Sequence, residues 1–404
     1  MTVAWSGSPP PVPAGEVRVR CRRLQQQMQR AGLDAVIVLQ NADLYYFSGT
    51  LQSGLLYLPA VGEPLYLVRR ELERARCESA LTAVLPFRSP RDLPRLLAAA
   101  GLPQPATLGL ELDVLPVRLY QSLIQALPGV CSVDATPLIR ALRAVKSPYE
   151  IELMRVAGKQ TERVWRHALQ VAREGMSSLE LTIELDAEAR RAGHPGRSRM
   201  RAFNSESGMG LVLAGAEAAV PAYRNTPLGG PGLHPSVGFG SGGASIRRGE
   251  PVVVDCLGMW GGYLADQTRV LAFGGLDDRL RRAYDQMVAI ETHLRERARP
   301  GISWGALYES CCDMAVQAGY ADHFMGLPGW QVAFIGHGIG LEIDEYPFIA
   351  RGFRDQVLEE NMTFAFEPKA VFAGLGAVGI ENTYLVTAQG LQPLTCSDPA
   401  LAIL

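Results

Sequence analysis

The sequence predicts a mixed α/β chain (α+β) folded as two domains. Three observations carry this. The chain has 404 residues, long for one core and ample for two. In its first third, apolar runs of strand length alternate with amphipathic stretches of helix length. In its last third, two apolar runs each lead into a carboxylate, a glycine turn and a returning apolar run, the pattern of antiparallel hairpins.

Residues 1–15 are rich in Pro and Ser and lack the basic and apolar regions of a secretory signal, so a flexible N-terminal arm is expected there. A polar helix is expected over 17–31, ended by Gly32, then a short buried strand over 35–39. Residues 55–58 and 64–68 flank Val61-Gly62-Glu63 and predict a hairpin. Residues 107–112 read as a strand and 117–126 as a helix. A boundary falls near 143–148 and divides the chain into domains over 16–145 and 146–404. There Ser147, Pro148 and Glu150 combine an N-cap, a proline at the first helical position and the acid of a capping box. That helix is expected to reach Arg173 and stop at Gly175, where Ser177 and Glu180 form a second capping box. Residues 229–249, rich in Gly, Pro and Ser, read as a long loop that covers a site. Residues 277–297 and 303–318 read as amphipathic helices, with Leu280, Tyr284, Met287 and Leu294 as a core-facing stripe.

Composition excludes several function classes. Nearly half the residues are apolar and a fifth are charged, as in an ordinary globular protein. A formal net charge of −2 gives no electrostatic reason for nucleic acid as a partner. Arg18, Arg20, Arg22 and Arg23 cluster on one short helix and read as a solvated face. No apolar run is long enough to span a membrane. Seven cysteines without a CxxC spacing read as buried thiols in a reducing cytoplasm.

The hairpins carry the chemistry. Residues 252–254 run straight into Asp255, Gly261-Gly262 supplies a turn, and 263–273 return with Asp266. The midpoint of the aspartates lies between Trp260 and Gly261. A hairpin centred there sets them directly opposite, with Cβ atoms about 5 Å apart. Residues 362–366 lead likewise into Glu367, Gly374 and Gly376 provide a turn, and 377–386 return with Glu381. Here the midpoint is Gly374. Buried like-charged pairs are costly unless cations sit between them. Between the hairpins, Gly336-His337-Gly338-Ile339-Gly340 places a histidine on what reads as irregular, closely approachable backbone. One imidazole and four carboxylates form a hard donor set suited to two divalent ions.

The order Asp255, Asp266, His337, Glu367, Glu381, with its flanks, resembles the pita-bread metallopeptidases: prolidase, aminopeptidase P and methionine aminopeptidase. The flanks are Gly262-Tyr263, Asp266-Gln267-Thr268-Arg269, Gly336 through Glu342 with Glu345 and Pro347, Phe366-Glu367-Pro368, and Gly379-Ile380-Glu381-Asn382-Thr383. Residues 40–49 and 142–150 resemble the creatinase-like N-terminal domain and the junction after it. The resemblance implies a creatinase-like domain followed by a pita-bread catalytic domain, a curved antiparallel sheet covered by helices. It implies that the five residues hold two divalent metal ions, Mn or Co ahead of Zn or Fe, which activate a bridging water. Glu367 would also carry the proton to the leaving amine. The implied activity is that of an Xaa-Pro aminopeptidase or Xaa-Pro dipeptidase, and the implied assembly a homodimer.

Three positions depart from the family pattern. Asp344 stands where a substrate-contacting histidine is usual, and is expected to alter substrate choice or hold a substrate ammonium. His234 is the nearest candidate for a further catalytic histidine upstream of Asp255. Lys369 replaces the glycine that often follows Glu-Pro. The Asp344 departure leaves open an alternative, a small-molecule metallohydrolase or lyase on the same fold. A catalytically silent binding protein is a third class, opposed by the presence of all five ligands.

Overall fold

The computed structural model describes residues 9–404, which divide into two compact units. The N-terminal unit comprises residues 9–143 together with 201–205, and the C-terminal unit comprises 144–200 and 206–404. The first eight residues of the expected arm lie outside the described residues. Of the remainder, Val12 is buried and Ala14 already opens the first helix, so that stretch is packed chain rather than a loose arm.

The N-terminal unit runs α1 (Ala14–Ala31), β1 (Ala35–Val38), α2 (Asn41–Ser48), β2 (Gly54–Pro59), β3 (Leu65–Val68), α3 (Leu72–Glu78), β4 (Ala83–Pro86), α4 (Leu93–Ala99), β5 (Thr107–Leu110), α5 (Val117–Ala126), β6 (Cys131–Asp134) and α6 (Thr136–Ala144). The six strands form one mixed sheet in the order β4-β3-β2-β1-β5-β6. β2 and β3 are the expected hairpin, paired from Gly54↔Val68 to Tyr57↔Leu65. Alternate residues Ala35, Ile37, Leu55, Tyr57, Leu65 and Leu67 turn one face into a core shared with Leu93, Leu97 and Leu123. The arginine cluster on α1 is not wholly solvated. Arg20 is buried, its guanidinium 4.3 Å over the Tyr46 ring and donating to the Tyr46 carbonyl at 3.0 Å, because the helical period turns it inward with Val17 and Leu24.

Within residues 201–205, Arg201 carries the side-chain bonds to the rest of this unit. Arg201 clasps Asp113 at 2.6 and 3.0 Å and also donates to Asp43, which is fully buried and takes a second bond from Arg143 at 2.6 Å. Burial alone would raise the Asp43 carboxyl, but Arg143, then Glu111 and Arg201, hold it below its ordinary range.

The C-terminal unit runs α7 (Pro148–Val171), α8 (Ser178–Arg191), β7 (Gly210–Ala214), β8 (Val252–Trp260), β9 (Tyr263–Ala272), α9 (Asp278–Arg297), α10 (Trp304–Gln317), β10 (Phe334–Ile339), β11 (Ile343–Ala350), β12 (Thr363–Phe366), β13 (Lys369–Phe372), β14 (Gly376–Gly379), β15 (Asn382–Thr387), β16 (Gly390–Pro393) and β17 (Ala402–Ile403). Both capping boxes form: Glu150 N donates to Ser147 Oγ at 3.3 Å and Glu180 N to Ser177 Oγ at 3.1 Å. One sheet has the order β17-β9-β8-β7 and a second β11-β10-β12-β15-β16, with β13-β14 as an extension of the last hairpin. All pairs are antiparallel except the short β17 beside β9. The stripe Leu280, Tyr284, Met287 and Leu294 of α9 enters the main core, as expected. The loop over 229–249 is hydrogen-bonded to Gly175, Met176, Ser178, Glu217, Val220 and Phe273 rather than to any of the five candidate ligands.

All seven cysteines are free, but Cys77, Cys131 and Cys396 are exposed, against the expectation of buried thiols throughout. No helix among the described residues is long and apolar enough to cross a membrane.

Truncating Arg201 strands buried carboxylates, so Arg201→Ala should cost about 3–5 kcal/mol within the N-terminal unit. Hydrogen exchange read by mass spectrometry should rise in peptides spanning β1, α2 and β5 and stay unchanged across β8 and β9. Equal protection in both proteins would show that Arg201 does not hold this unit.

Candidate metal centre

The first hairpin turns on Gly261 and Gly262, with φ of 57° and 87°. Two successive positive-φ residues make the tight turn that suits twisted strands, and glycine takes them without strain. The pairing is therefore Trp260↔Tyr263, which gives Leu257↔Asp266 and Asp255↔Thr268. The expected direct opposition of the aspartates is thus corrected. They are diagonal neighbours, because the hairpin is centred between the two glycines, one residue later than their midpoint. A two-residue offset keeps both on one face of the sheet, so they still converge. Asp266 is 8% exposed, and Asp255 is more open.

The second hairpin has the expected centre. Phe366↔Asn382 in β12-β15 and Lys369↔Gly379 in β13-β14 share a register centred on Gly374, which sets Glu367 opposite Glu381. At these two residues the backbone turns to other strands. Glu367 N donates to Ile335 O at 2.8 Å and Glu381 N to Thr268 O at 3.1 Å. The latter bond ties the two sheets together beside the carboxylates. Asp266 and Thr383 tie them again: Asp266 N donates to Thr383 Oγ1 at 2.7 Å, and that hydroxyl donates to Asp266 O at 2.9 Å.

His337 lies in strand β10, not in a loop. The irregularity expected there takes the form of register shifts on either side of Gly338. A Cβ on Gly338 would stand 2.3 Å from the Tyr346 backbone, so this close approach requires glycine. The His337 Nδ1 lies 3.2 Å from Gly338 O and 3.8 Å from Asp344 Oδ1. Its Nε2 faces Glu367 Oε1 at 3.8 Å and Glu381 Oε1 at 4.0 Å. Donation from Nδ1 to the carbonyl leaves the Nε2 lone pair for a cation.

Asp266, His337 and Glu381 each offer one ligand atom, all within 4.8 Å of one another. Glu367 stands beside them through its contact with His337, and Asp255 through its place on the same face of the hairpin as Asp266, close enough for the two carboxylates to feel each other's charge. Asp266 Oδ1 is buried without a hydrogen-bond donor, as a cation ligand would be. These residues therefore fit a divalent ion. Burial, then Glu381, raises Asp255 to about 7 and Glu367 to about 8, and holds Asp266 well above the ordinary carboxylate range. At Glu381 burial acts in the same sense, but Lys369, then His337 and the Thr268 hydroxyl, outweigh it and keep that carboxyl low.

The two other candidates sit differently. Asp344 lies behind His337, in the left-handed region at φ 67°, with its side chain 38% exposed. His234 is exposed and bonded to Ser236, with no bond to the five.

Several supporting residues entered the sequence reading only as motif flanks, with no role assigned. Thr268 Oγ1 donates to Glu381 Oε2 at 2.7 Å. Buried Arg269 donates to the Glu381 carbonyl at 2.8 Å and to Asn382 Oδ1 at 2.7 Å. Lys146 and Glu345 form a buried pair at 3.0 Å, with Glu345 on β11 opposite Gly338. Lys369, noticed only as a departure, donates to Glu381 Oε2 at 3.1 Å and Glu367 Oε2 at 3.3 Å. Its signal was the strand period, since a residue two beyond Glu367 shares its face.

Known proteins resemble this chain along most of its length. The sequence profile of metallopeptidase family M24 matches residues 152–388, and that of the creatinase/prolidase N-terminal domain matches 20–145. An Xaa-Pro dipeptidase of Pyrococcus furiosus is 26% identical over 394 residues, 95% of this chain and 100% of its own. An Xaa-Pro dipeptidase of Lactobacillus helveticus is 29% identical over 299 residues, 74% of this chain and 73% of its own. The solved structure of an Xaa-Pro dipeptidase from Bacillus anthracis, 24% identical, superposes with a TM-score of 0.81 over 96% of this chain and 100% of that one, a likeness of fold.

The raised carboxyls predict a pH signature. Without metal, the folded state holds protons on Asp255, Asp266 and Glu367 that the unfolded state releases above a pH of about 4. Their contribution to stability is therefore full below that pH and lost as pH rises toward about 8. Bound Mn(II) should remove this loss and expel about one to two protons at neutral pH. Calorimetric titration in two buffers of different ionisation enthalpy measures the expulsion. Identical heats in both would show that these groups are not displaced by the ion.

Proposed function

This chain belongs to metallopeptidase family M24, and we propose from that premise that it cleaves the peptide bond before proline as an Xaa-Pro dipeptidase, with N-terminal Xaa-Pro bonds of longer peptides as its second substrate class. It is a metal-dependent hydrolase. The observation that carries the reading is the convergence of Asp266, His337 and Glu381, with Asp255 and Glu367 beside them.

A divalent ion held by these side chains supplies a water nucleophile at neutral pH and polarises the scissile carbonyl. Mn or Co suits the oxygen-rich set best. The chain's own residues do the rest. Glu367, whose Oε1 faces His337 Nε2 at 3.8 Å at the edge of the ligand cluster, would accept a proton and return it to the leaving nitrogen. Thr268 and Arg269 hold Glu381 in place through its carboxylate and its carbonyl. Asp344, 3.8 Å from His337 Nδ1 and partly exposed, would meet the free ammonium of a substrate.

A non-peptide substrate, the reading that Asp344 raised, is less favoured, since both relatives described above are named for Xaa-Pro cleavage. Work in the cytoplasm fits the seven free thiols, and a homodimer fits the family resemblance.

The test is a substrate screen on metal-reconstituted protein. Xaa-Pro dipeptides should be cleaved, and Glu367→Ala should lose about 10²–10⁴-fold in kcat. Cleavage of non-peptide amides in place of every Xaa-Pro peptide would overturn the proposal. Asp344→His should change kcat/KM for Xaa-Pro dipeptides by about tenfold or more. Unchanged rates on the same peptides would remove Asp344 from substrate contact.

A further inference from the structure

We propose that the Lys369 ammonium fills one of the two cation positions expected at this centre, so that the centre takes up a single divalent ion between Asp266, His337 and Glu381. The inference rests on the metal-dependent reading above and concerns how many ions that reading needs.

The hairpin builds the arrangement. Lys369 lies two residues beyond Glu367, opposite Gly379, which lies two residues before Glu381. The period of two turns the Lys369 stem to the side where both glutamates project. A Cβ at Gly379 would stand 2.7 Å from Lys369 Cδ, so the glycine leaves the lane in which the stem lies. The side chain is fully buried, and lysine is almost never fully buried unless paired. Its backbone is fixed as well, with Met325 N donating to Lys369 O at 2.9 Å.

The ammonium divides the glutamate pair. Oε2 of Glu367 and Oε2 of Glu381 both accept from Lys369 Nζ, whereas Oε1 of each faces His337 Nε2. Glu381 Oε2 also accepts from Thr268, so its two lone-pair directions are taken. A second ion drawing on Oε2 of either glutamate would have to displace the ammonium, and one held by the aspartates alone would sit with an immobile positive charge close by. The first ion has no such competitor: Asp266 Oδ1 is buried without a donor, and the His337 and Glu381 ligand atoms lie within 4.8 Å.

The experiment counts ions. Wild-type protein, Lys369→Gly and Lys369→Ala are dialysed against Mn(II), desalted, analysed by atomic emission and examined by electron paramagnetic resonance. Wild type should retain about one Mn(II) per chain with the spectrum of an isolated ion. The variants should retain twice as much and show the spectrum of an exchange-coupled pair. A coupled pair in wild type overturns the inference and leaves the metallopeptidase reading standing. One isolated ion in a folded variant also overturns it, since the ammonium is then not what excludes the second. No ion in wild type or variants overturns the metal-dependent reading itself.

Discussion

Four carboxylates pressed together away from water are the constraint around which the C-terminal unit is built. Burial destabilises all four and their mutual charge adds to it at Asp255, Asp266 and Glu367, while Lys369 and His337 hold Glu381 low, so the site persists because positive charge is placed among them. Lys369 and His337 are the charges the chain itself supplies, and a divalent ion adds to them. The two hairpins deliver carboxylates from two different sheets to one point. The backbone bonds from Glu381 to Thr268 and between Asp266 and Thr383 lock those sheets where the repulsion is greatest.

The surrounding polar residues fix position rather than add charge at the centre. Arg269 reaches no carboxylate oxygen of the site. It holds the Glu381 carbonyl, the Thr268 carbonyl and the backbone at Ser397 and Asp398, so a rigid guanidinium fork sets where Glu381 leaves its strand. Tyr263 donates to Glu150 at 2.6 Å and anchors the start of β9 to the first turn of α7. The Lys146–Glu345 pair anchors β11, the strand beside the histidine strand, and Glu345 Oε1 accepts from Glu342 N at 3.1 Å. Preorganisation of this kind spares a centre the reorganisation that weakens electrostatic catalysis.

Much of this was legible in the chain because the signals were local. The Ser147/Glu150 and Ser177/Glu180 boxes needed four residues each, and the Gly374-centred hairpin needed only a turn and two flanking apolar runs. Failures came where a small local choice or a distant partner decided. Asp255 and Asp266 slipped from opposite to diagonal because the turn took both glycines as its central pair. Arg20 was read as solvated because its partner, Tyr46, is twenty-six residues away. Nothing in the local composition of 201–205 shows that it belongs with the N-terminal unit, since Asp43 and Asp113 are far off in sequence. Lys369 was visible as an unusual residue, but its meaning needed the register of the strand opposite.

The long hairpin centred on Gly374 also sets which length changes the gene can tolerate. A residue gained within 373–375 merely enlarges the tip, for the arms below keep their partners. One gained or lost in either arm, between the tip and Glu367 or Glu381, would rotate that glutamate to the opposite face of the ribbon and carry Lys369 or Gly379 out of alignment with it. Natural variation in length should therefore gather at the tip and spare the six residues on each flank.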